Sequence, residues 1–465
     1  MSGGALAELL PGANIIASGP ALLAHAGDWS STSILREMNG TLTPPAAVLR
    51  AASADEVSVA LRWAVETGTG VVTAGGRSGV SGGVVTRGGE LVIDMRGMNR
   101  VLDLDEVSGI VQVEAGIMGS DLEAWLNGRD FTLGHFPQSI ALSTVGGWIA
   151  ARSAGQLSSG YGAIEDMLLA LTAVLPDGSV ATSRLVPRTA AGIQIYQLFL
   201  GSEGTLGVVT EAWLRVRRQA ETRTLSSWTF PTFSDGLDAL RRLAQSRRLP
   251  DAVRVYDEVD TAIQFRGFDP PPNGTVAVTV TEGERDVVYA RGKLAHATLA
   301  AAGGTQFAAD LAGHWWQHRN DAAETYRSVL SGELLGPEVA ADTIEVAATW
   351  AALGTVYGAV GDALRRHAEM VGCHCSHAYE TGCALYFTFL VRAQDREAVL
   401  AGAWRAALAA ALDSGGTMTH HHGVGQLKTS FLERELGGFA PYLAHVQAAF
   451  DPSGIMNPNT LRAGG

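Results

Sequence analysis

Apolar residues in the first third of the chain recur with two different periods. Val57, Ala60, Leu61 and Ala64 fall at helical spacing behind the capping-box sequence Ser53-Ala54-Asp55-Glu56, and Gly68 supplies a stop, so an amphipathic helix is predicted between them. The run Gly70-Val71-Val72-Thr73 reads as a short buried strand that empties into a glycine-rich loop, Ala74 to Gly83. Strand-like runs follow at Leu91 to Met95 and Ile110 to Glu114, and Leu122, Trp125 and Leu126 mark a helix with Ser120 as its predicted cap. The first third is therefore mixed α and β.

Beyond Arg218 a strand-helix-turn unit occurs twice. Thr275 to Thr281 is strand-like, an alanine-rich helix runs to Ala302, and Gly303-Gly304-Thr305 closes the unit. Ala384 to Val391, a helix from Asp395 to Leu412, and Gly415-Gly416-Thr417 repeat the scheme. Two such units predict a pseudo-duplicated antiparallel sheet with helices on one face, distinct from the first domain. The stretch from 269 to 272, Asp-Pro-Pro-Pro, is predicted to be a loop within it.

Composition narrows the class. A length of 465 residues divides into two or three domains at roughly 100–200 residues each. With 46% hydrophobic and 17% charged residues the chain belongs with globular proteins. Its net charge of −13 argues against nucleic acid, because phosphate binding draws on a lysine and arginine surplus. Cys373, Cys375 and Cys383 have neither a zinc-type CxxC spacing nor a distant partner pair, so a reduced, cytoplasmic protein is expected. The start of the chain lacks the features of a signal peptide, and no run reaches 18 uninterrupted apolar residues, so neither export nor a transmembrane segment is expected.

Three small-residue segments carry the first chemistry. Thr73 to Gly83 has five glycines and two serines behind a strand, and such a backbone can turn its N–H groups toward a pyrophosphate. Seen alone it could equally be a flexible surface loop, and its spacing is not GxGxxG. Gly134 to Trp148 and Gly201 to Glu211 are the second and third segments. Three are more than one phosphate loop needs and fit an extended cofactor threaded through a domain.

The order GGRSGVSGG, MRGMNRVL, VEAG, HFPQS, STVGGW, YGAIEDM, GSEGTLGVVTEA and FDPSGIMNPN resembles the flavoprotein family of vanillyl-alcohol oxidase type, the FAD-linked oxidases. STVGGW and HHHGVG are most similar to its alkylglycerone-phosphate synthase branch. The resemblance implies an α+β fold. Its FAD-binding domain would be in two parts, a small α/β part and a mixed α+β subdomain, over 1–217. An antiparallel-sheet cap covered by helices would span 218–425, with a C-terminal return over 426–465. It also implies that Gly75, Gly76, Arg77, Ser78, Gly79 and Ser81 hold the FAD pyrophosphate. Pro137, Ser139, Thr144, Gly146 and Gly147 would line the flavin and phosphates, and Glu203, Gly207 and Val209 the adenine-ribose side. The first loop has no histidine or cysteine, so FAD is expected to be non-covalent, with His135 the nearby candidate for a covalent bond.

The stretch THHHGVG, Thr419 to Gly425, could by itself be a metal site, a phosphate site, a proton-transfer pair or an inert cluster. In the 2-hydroxyacid branch of the resembling family, EHGIG and HxGDGNLH supply a divalent metal site. Here His421 stands in place of the glutamate and Tyr386 in place of the second histidine, leaving His377 and His422, so no metal is expected. The resemblance makes Tyr386, His421, His422 and Arg254 of PDAVRVYD the catalytic set. Arg254, Arg319, His377 and His420 would contact an anionic or lipid-like small molecule. Chemically the set is coherent: Arg254 is a permanent cation and histidines move protons near neutral pH. In an extended segment neighbouring side chains point to opposite faces, which would leave His420 structural. Asp342 to Glu345 resembles the synthase's substrate strand loosely.

Two activities compete. One is an FAD-dependent oxidoreductase that takes hydride from an alcohol or 2-hydroxy acid to flavin N5 while a histidine or Tyr386 receives the hydroxyl proton. The alternative is an alkylglycerone-phosphate synthase-like transferase, in which substrate is held covalently at flavin N5 and an acid is exchanged for a fatty alcohol without net redox change. That chemistry needs a long apolar tunnel, and the chain shows neither the synthase's N-terminal extension nor a peroxisomal address. Oxidoreductase is therefore the expected class, with a homodimer possible. A non-enzymatic flavin-binding role would leave so many reactive side chains unexplained.

Overall fold

The helix predicted behind Ser53 forms as Ala54–Thr67 in a computed structural model, which describes residues 2–269 and 272–462. Ser53 Oγ accepts from Glu56 N at 3.2 Å, and the Glu56 carboxylate turns back one residue further than a capping box requires, to Ala52 N. Gly68 ends the helix at φ 66°, where a side chain would be strained. The helix covers a sheet of strands β1 (Asn14–Ile16), β2 (Ala47–Arg50), β3 (Val71–Ala74) and β4 (Leu91–Asp94) in the order β1-β2-β4-β3, with β2, β4 and β3 parallel. The glycine-rich loop leaves the carboxyl end of β3, where open α/β sheets bind ligands.

Next come β5 (Val101–Asp105), β6 (Ile110–Glu114), β7 (Phe131–Thr132), β8 (Leu168–Val174), β9 (Val180–Thr182), β10 (Val208–Arg215) and β11 (Arg217–Arg218). Five form an antiparallel sheet in the order β5-β6-β10-β8-β9, while β7 and β11 pair as a ribbon. The helix predicted after β6 spans Gly119–Asn127, but its cap is Met118 and Ser120 lies inside it. Its first N–H groups are satisfied across the fold instead: Gly119 donates to Ser143 O and Ser120 to Ile140 O. A tertiary contact thus replaces the side-chain cap that the sequence suggested.

The duplicated units build one seven-stranded sheet from β12 (Thr222–Phe230), β13 (Ala252–Tyr256), β14 (Thr275–Gly283), β15 (Thr305–Gln306), β16 (Val339–Thr349), β17 (Met370–Ser376) and β18 (Gly382–Arg392). The order β15-β12-β14-β13-β17-β18-β16 reads alike from both ends, because Thr417 bridges Ala347 of β16 just as β15 pairs with β12. Helices Phe233–Gln245, Arg285–Ala301, Leu353–Arg365 and Arg396–Asp413 cover one face, packing Leu240, Leu299, Val356 and Leu408 against Val255, Phe387 and Phe389. All three cysteines are buried in that core as free thiols. The other face is not bare, as the expectation of one covered face implied. Helices Glu258–Gln264 and Ala309–His318 lie on it, and the rest turns toward the first two sheets. Pro270 and Pro271 of the predicted 269–272 loop lie outside the described residues.

The chain end returns to the first sheet. Val71 N donates to Ile455 O and Asn457 N to Val71 O, and the Asn457 amide reaches the carbonyls of Gly83 and Glu203. Among the described residues no helix is long and apolar enough to cross a membrane.

Candidate active site

The glycine loop is shaped by what crosses it. A Cβ on Gly75 would overlap Thr144 Oγ1, and one on Gly76 would overlap the Leu142 carbonyl, so the two segments pass at backbone contact. Arg77 adopts φ 55° and donates to Ala24 O. From Gly76 through Ser81 no main-chain N–H finds an acceptor among the described residues. Six consecutive unpaired donors beside a facing loop form the kind of concavity that takes a diphosphate, so the residues present fit FAD. Facing them, Ile140 N and Leu142 N donate to the carbonyls of Pro137 and Ser139, and Thr144 caps the helix Val145–Ala151 by accepting from Gly147 N. Gly146 sits against Ala115, and Gly207, at φ 146°, passes the Val174 carbonyl where a Cβ would come within 2.7 Å. Val209 pairs with Ala173 in the second sheet.

Two of the residues assigned to the cofactor spend their side chains on the histidine segment. Ser81 Oγ donates to His422 O at 3.0 Å. Glu203 accepts from Val424 N at 2.5 Å, Gly425 N at 3.0 Å and Thr460 Oγ1 at 2.6 Å. They tie the glycine loop, the third segment and the chain end to THHHGVG. His135 is buried edge-on to Trp148 with Nε2 3.3 Å from Ser153 Oγ, and burial lowers its pKa to about 3.

Above this cradle the cap presents one cross-strand row. Tyr256 of β13 lies opposite His374 of β17, His374 opposite Tyr386 of β18, and Tyr386 opposite Glu345 of β16. Directly opposed residues share a face, so four strands align their polar side chains toward the first domain. The rings of His374 and Tyr386 stack at 4.8 Å and 9°. His374 Nδ1 is 2.6 Å from Asp260 Oδ2, which fixes the hydrogen on Nδ1 and leaves the Nε2 lone pair facing Arg254 Nη1 at 3.4 Å. Arg254 also lies over Trp315 at 5.6 Å, and no carboxylate pairs with it among the described residues.

The histidine segment is curled around Glu345. The N–H groups of His421 and His422 reach Oε1 at 3.3 and 2.9 Å, His420 N donates to Oε2, and Thr419 Oγ1 donates to Oε1 at 2.7 Å. Lys428 Nζ, buried like the carboxylate, lies 3.4 Å away. Burial would raise the Glu345 pKa, but Lys428 and the histidines outweigh it and hold it at about 2. Because three successive N–H groups converge on one carboxylate, the segment is not extended, and the alternation that would isolate His420 does not occur. His421 Nε2 lies 3.2 Å from Tyr386 Oη, and His422 lies 5.9 Å from the Tyr386 ring, centroid to centroid. His420 stacks on His377 at 5.1 Å. His377, at φ 50°, is held by Ser158 Oγ at 2.7 Å from its Nδ1. Burial lowers the pKa values of His377, His420 and His421, and that of His422 to about 4, while it raises that of Tyr386. At neutral pH these histidines are uncharged and the tyrosine is protonated.

The structure thus gathers Arg254, Tyr386, His377 and His420 to His422 at one place, with Arg319 near enough for its charge to act on that of Arg254. The Arg319 guanidinium stacks on Trp316 at 3.8 Å, with Arg223 at 4.0 Å from the same ring, and its carbonyl accepts from Gln138 and Gln156. A cation already committed to an aromatic face serves as a joint between domains. Sequence reasoning missed Asp260, His374, Lys428, Tyr379 and the role of Glu345. Lys428 did leave a signal, being one of two lysines in a chain that otherwise uses arginine. Among the described residues no group of three or more His, Cys, Asp or Glu is arranged to hold a metal ion.

Comparison with known proteins agrees with this architecture. Residues 45–184 match the FAD binding domain family and residues 219–461 the C-terminal domain of FAD linked oxidases. The alkyldihydroxyacetonephosphate synthase of Trypanosoma brucei brucei is 30% identical over 455 residues, spanning 90% of this chain and 73% of that protein. Glycolate oxidase subunit GlcD of Bacillus subtilis is 26% identical over 428 residues, spanning 90% and 89%. A solved alkyldihydroxyacetonephosphate synthase superposes with a TM-score of 0.82 at 24% identity, covering 98% of this chain and 85% of its own. With both family domains matched in order over most of its length, the chain belongs to the FAD-linked oxidases of vanillyl-alcohol oxidase type.

Proposed function

We propose that the protein oxidises an alcohol or 2-hydroxy acid bearing a single anionic group, with non-covalent FAD between residues 1–217 and the return from 426, and substrate under the cap, 218–425. The observation that carries this reading is the charge of the site: Arg254, without a carboxylate partner among the described residues, stands beside neutral histidines and a protonated tyrosine. One guanidinium matches one carboxylate, in the bidentate geometry that arginine favours. When bound, FAD supplies the acceptor for two electrons and a hydrogen. The chain's own residues do the rest. Arg254, braced by His374 and Trp315, orients the anion, and Tyr386 receives the substrate hydroxyl proton as it passes its own to His421. His422, with Nδ1 buried and unpartnered 3.8 Å from Glu345, is a second neutral base on the same wall. The likeness to glycolate oxidase subunit GlcD supports this reading.

A second reading, synthase-like transfer without net redox change, is favoured by the 30% identity to a synthase. Anaerobic titration of the flavin absorbance decides between them. Bleaching by a 2-hydroxy acid or alcohol supports oxidation. Acid release from acyl-glycerone phosphate with no net bleaching establishes transfer.

A further inference from the structure

Proton transfer at the substrate uses Tyr386 and His421, yet the hydrogen-bonded row does not stop there. Tyr386 Oη lies 3.2 Å from His421 Nε2, His421 Nδ1 lies 2.9 Å from His420 Nδ1, and His420 Nε2 lies 2.7 Å from Tyr379 Oη. Tyr379 is 42% exposed and borders a polar groove of about 990 Å³ between the cap and the first domain, with Ser158, Asp166, Arg247 and Glu380 in its walls. We infer that Tyr386, His421, His420 and Tyr379 form a proton path from the buried site to solvent in this groove. The path rests on the oxidation proposed above, which releases one proton per turnover at Tyr386, a residue only 8% exposed.

Tautomer logic makes the row directional. A neutral imidazole has one N–H and one lone pair, so the hydrogen at one contact fixes the next. With Tyr386 donating to His421 Nε2, His421 donates from Nδ1 to His420 Nδ1, and His420 donates from Nε2 to Tyr379. No contact then holds two hydrogens or none. In the step itself the substrate O–H breaks toward Tyr386 Oη, and each member accepts one proton while passing on another. The last, from Tyr379 Oη, goes to water. All four groups end with the number of protons they began with, but both imidazoles end as the opposite tautomer, so the row must turn back before the next turnover; the electrons leave the substrate carbon with its hydrogen. Because the hop is concerted, neither a tyrosinate nor two adjacent imidazolium ions accumulates. Burial keeps both histidines uncharged at neutral pH, ready to accept. Around the outer end stand the acidic Glu165, Asp166 and Glu380 and the cations Arg152 and Arg247, with Glu165 paired to Arg152 and Glu380 to Arg247, while Glu345 faces the inner end.

The first test needs no substrate. In holoenzyme labelled with ¹⁵N-histidine, long-range proton–nitrogen correlation should show His420 and His421 as opposite tautomers. Both should shift in Tyr379→Phe while the remote His445 stays in place. The same tautomer in both residues, or no shift, overturns the path. The second test uses glycolate and lactate as probes. Tyr379→Phe and His420→Ala should lower kcat by about 10- to 100-fold with KM unchanged. The solvent deuterium isotope effect on kcat should rise, and added imidazole should restore His420→Ala. An unchanged kcat and isotope effect in Tyr379→Phe would also overturn the path. If wild-type enzyme oxidises neither probe nor any alcohol, the oxidase reading fails, and the tautomers decide the path by themselves.

Discussion

Replacing Glu345 by glutamine removes the charge around which the histidine segment is wound. The carboxylate accepts from three successive N–H groups, from Thr419 and from Lys428. A glutamine offers one oxygen and turns its NH₂ toward donors, leaving Lys428 buried with only the more distant Glu203 and Glu435 as counter-charges. Breaking a buried pair by removing one partner costs about 3–5 kcal/mol. The titration of Glu345 gives a second route to the magnitude. Its pKa of about 2 against an ordinary 4.5 corresponds to about 3 kcal/mol at about 1.4 kcal/mol per pH decade. The unfolding entropy is roughly 2.1 cal/mol/K per residue, so a chain this long loses about 1 °C of Tm per kcal/mol when it melts as one unit. Calorimetry should therefore show Tm lowered by about 3–5 °C, or about twice that if the cap melts alone. Hydrogen exchange over residues 418–428 should accelerate about 100-fold or more. Lys428→Met should cost a similar amount, and the double variant less than the sum by at least about 1.5 kcal/mol. Strict additivity, or a Glu345→Gln melt within 1 °C of wild type, would refute the clamp.

Four further outcomes follow from the same geometry. Gly76→Ala should purify without flavin absorbance, because its Cβ overlaps the Leu142 carbonyl, while Gly79→Ala, with only Asp28 Oδ2 at 3.9 Å, should retain it. His422→Ala should keep FAD and lose about 100-fold or more in turnover, as stopped-flow reduction would show; an unchanged rate removes it from the chemistry. Arg254→Ala should raise KM for an anionic substrate by about 10- to 100-fold with a smaller change in kcat, as expected for a lost charged hydrogen bond. His422 has a folded pKa near 4, below its ordinary 6.5, so the unfolded chain binds the extra proton first. Its contribution to stability is complete above 6.5 and is lost as pH falls toward 4, whereas that of Glu345 is complete above its ordinary 4.5 and is lost between there and about 2. Tm measured from pH 7 to 4 should fall less steeply in His422→Gln than in wild type.

What the sequence determined by itself is what local physics encodes. The helix from Ser53 to Gly68, the strand before the glycine loop, and the duplicated strand-helix-Gly-Gly-Thr units depend on periodicity and caps within a few residues, and each formed. The glycines were legible because a backbone that must pass another at contact distance excludes every larger residue. The Ser120 cap failed because the acceptors for those N–H groups come from Ile140 and Ser143, outside any local window. The site itself was only half legible. Its histidines, Tyr386 and Arg254 stood out as residue types, but their arrangement is a matter of strand register, which sets Tyr256, His374, Tyr386 and Glu345 side by side. Asp260 meets His374 across 114 residues of chain, Glu345 meets His420 across 75, and Tyr379 meets His420 across 41. Polar side chains on a sheet show no periodicity that reveals their partners, since a one-residue slip in register would turn every one of them to the other face. Only the closed fold, by burying Glu345 with Lys428 and curling three histidines around them, turned a string of like residues into a directed row of donors and acceptors.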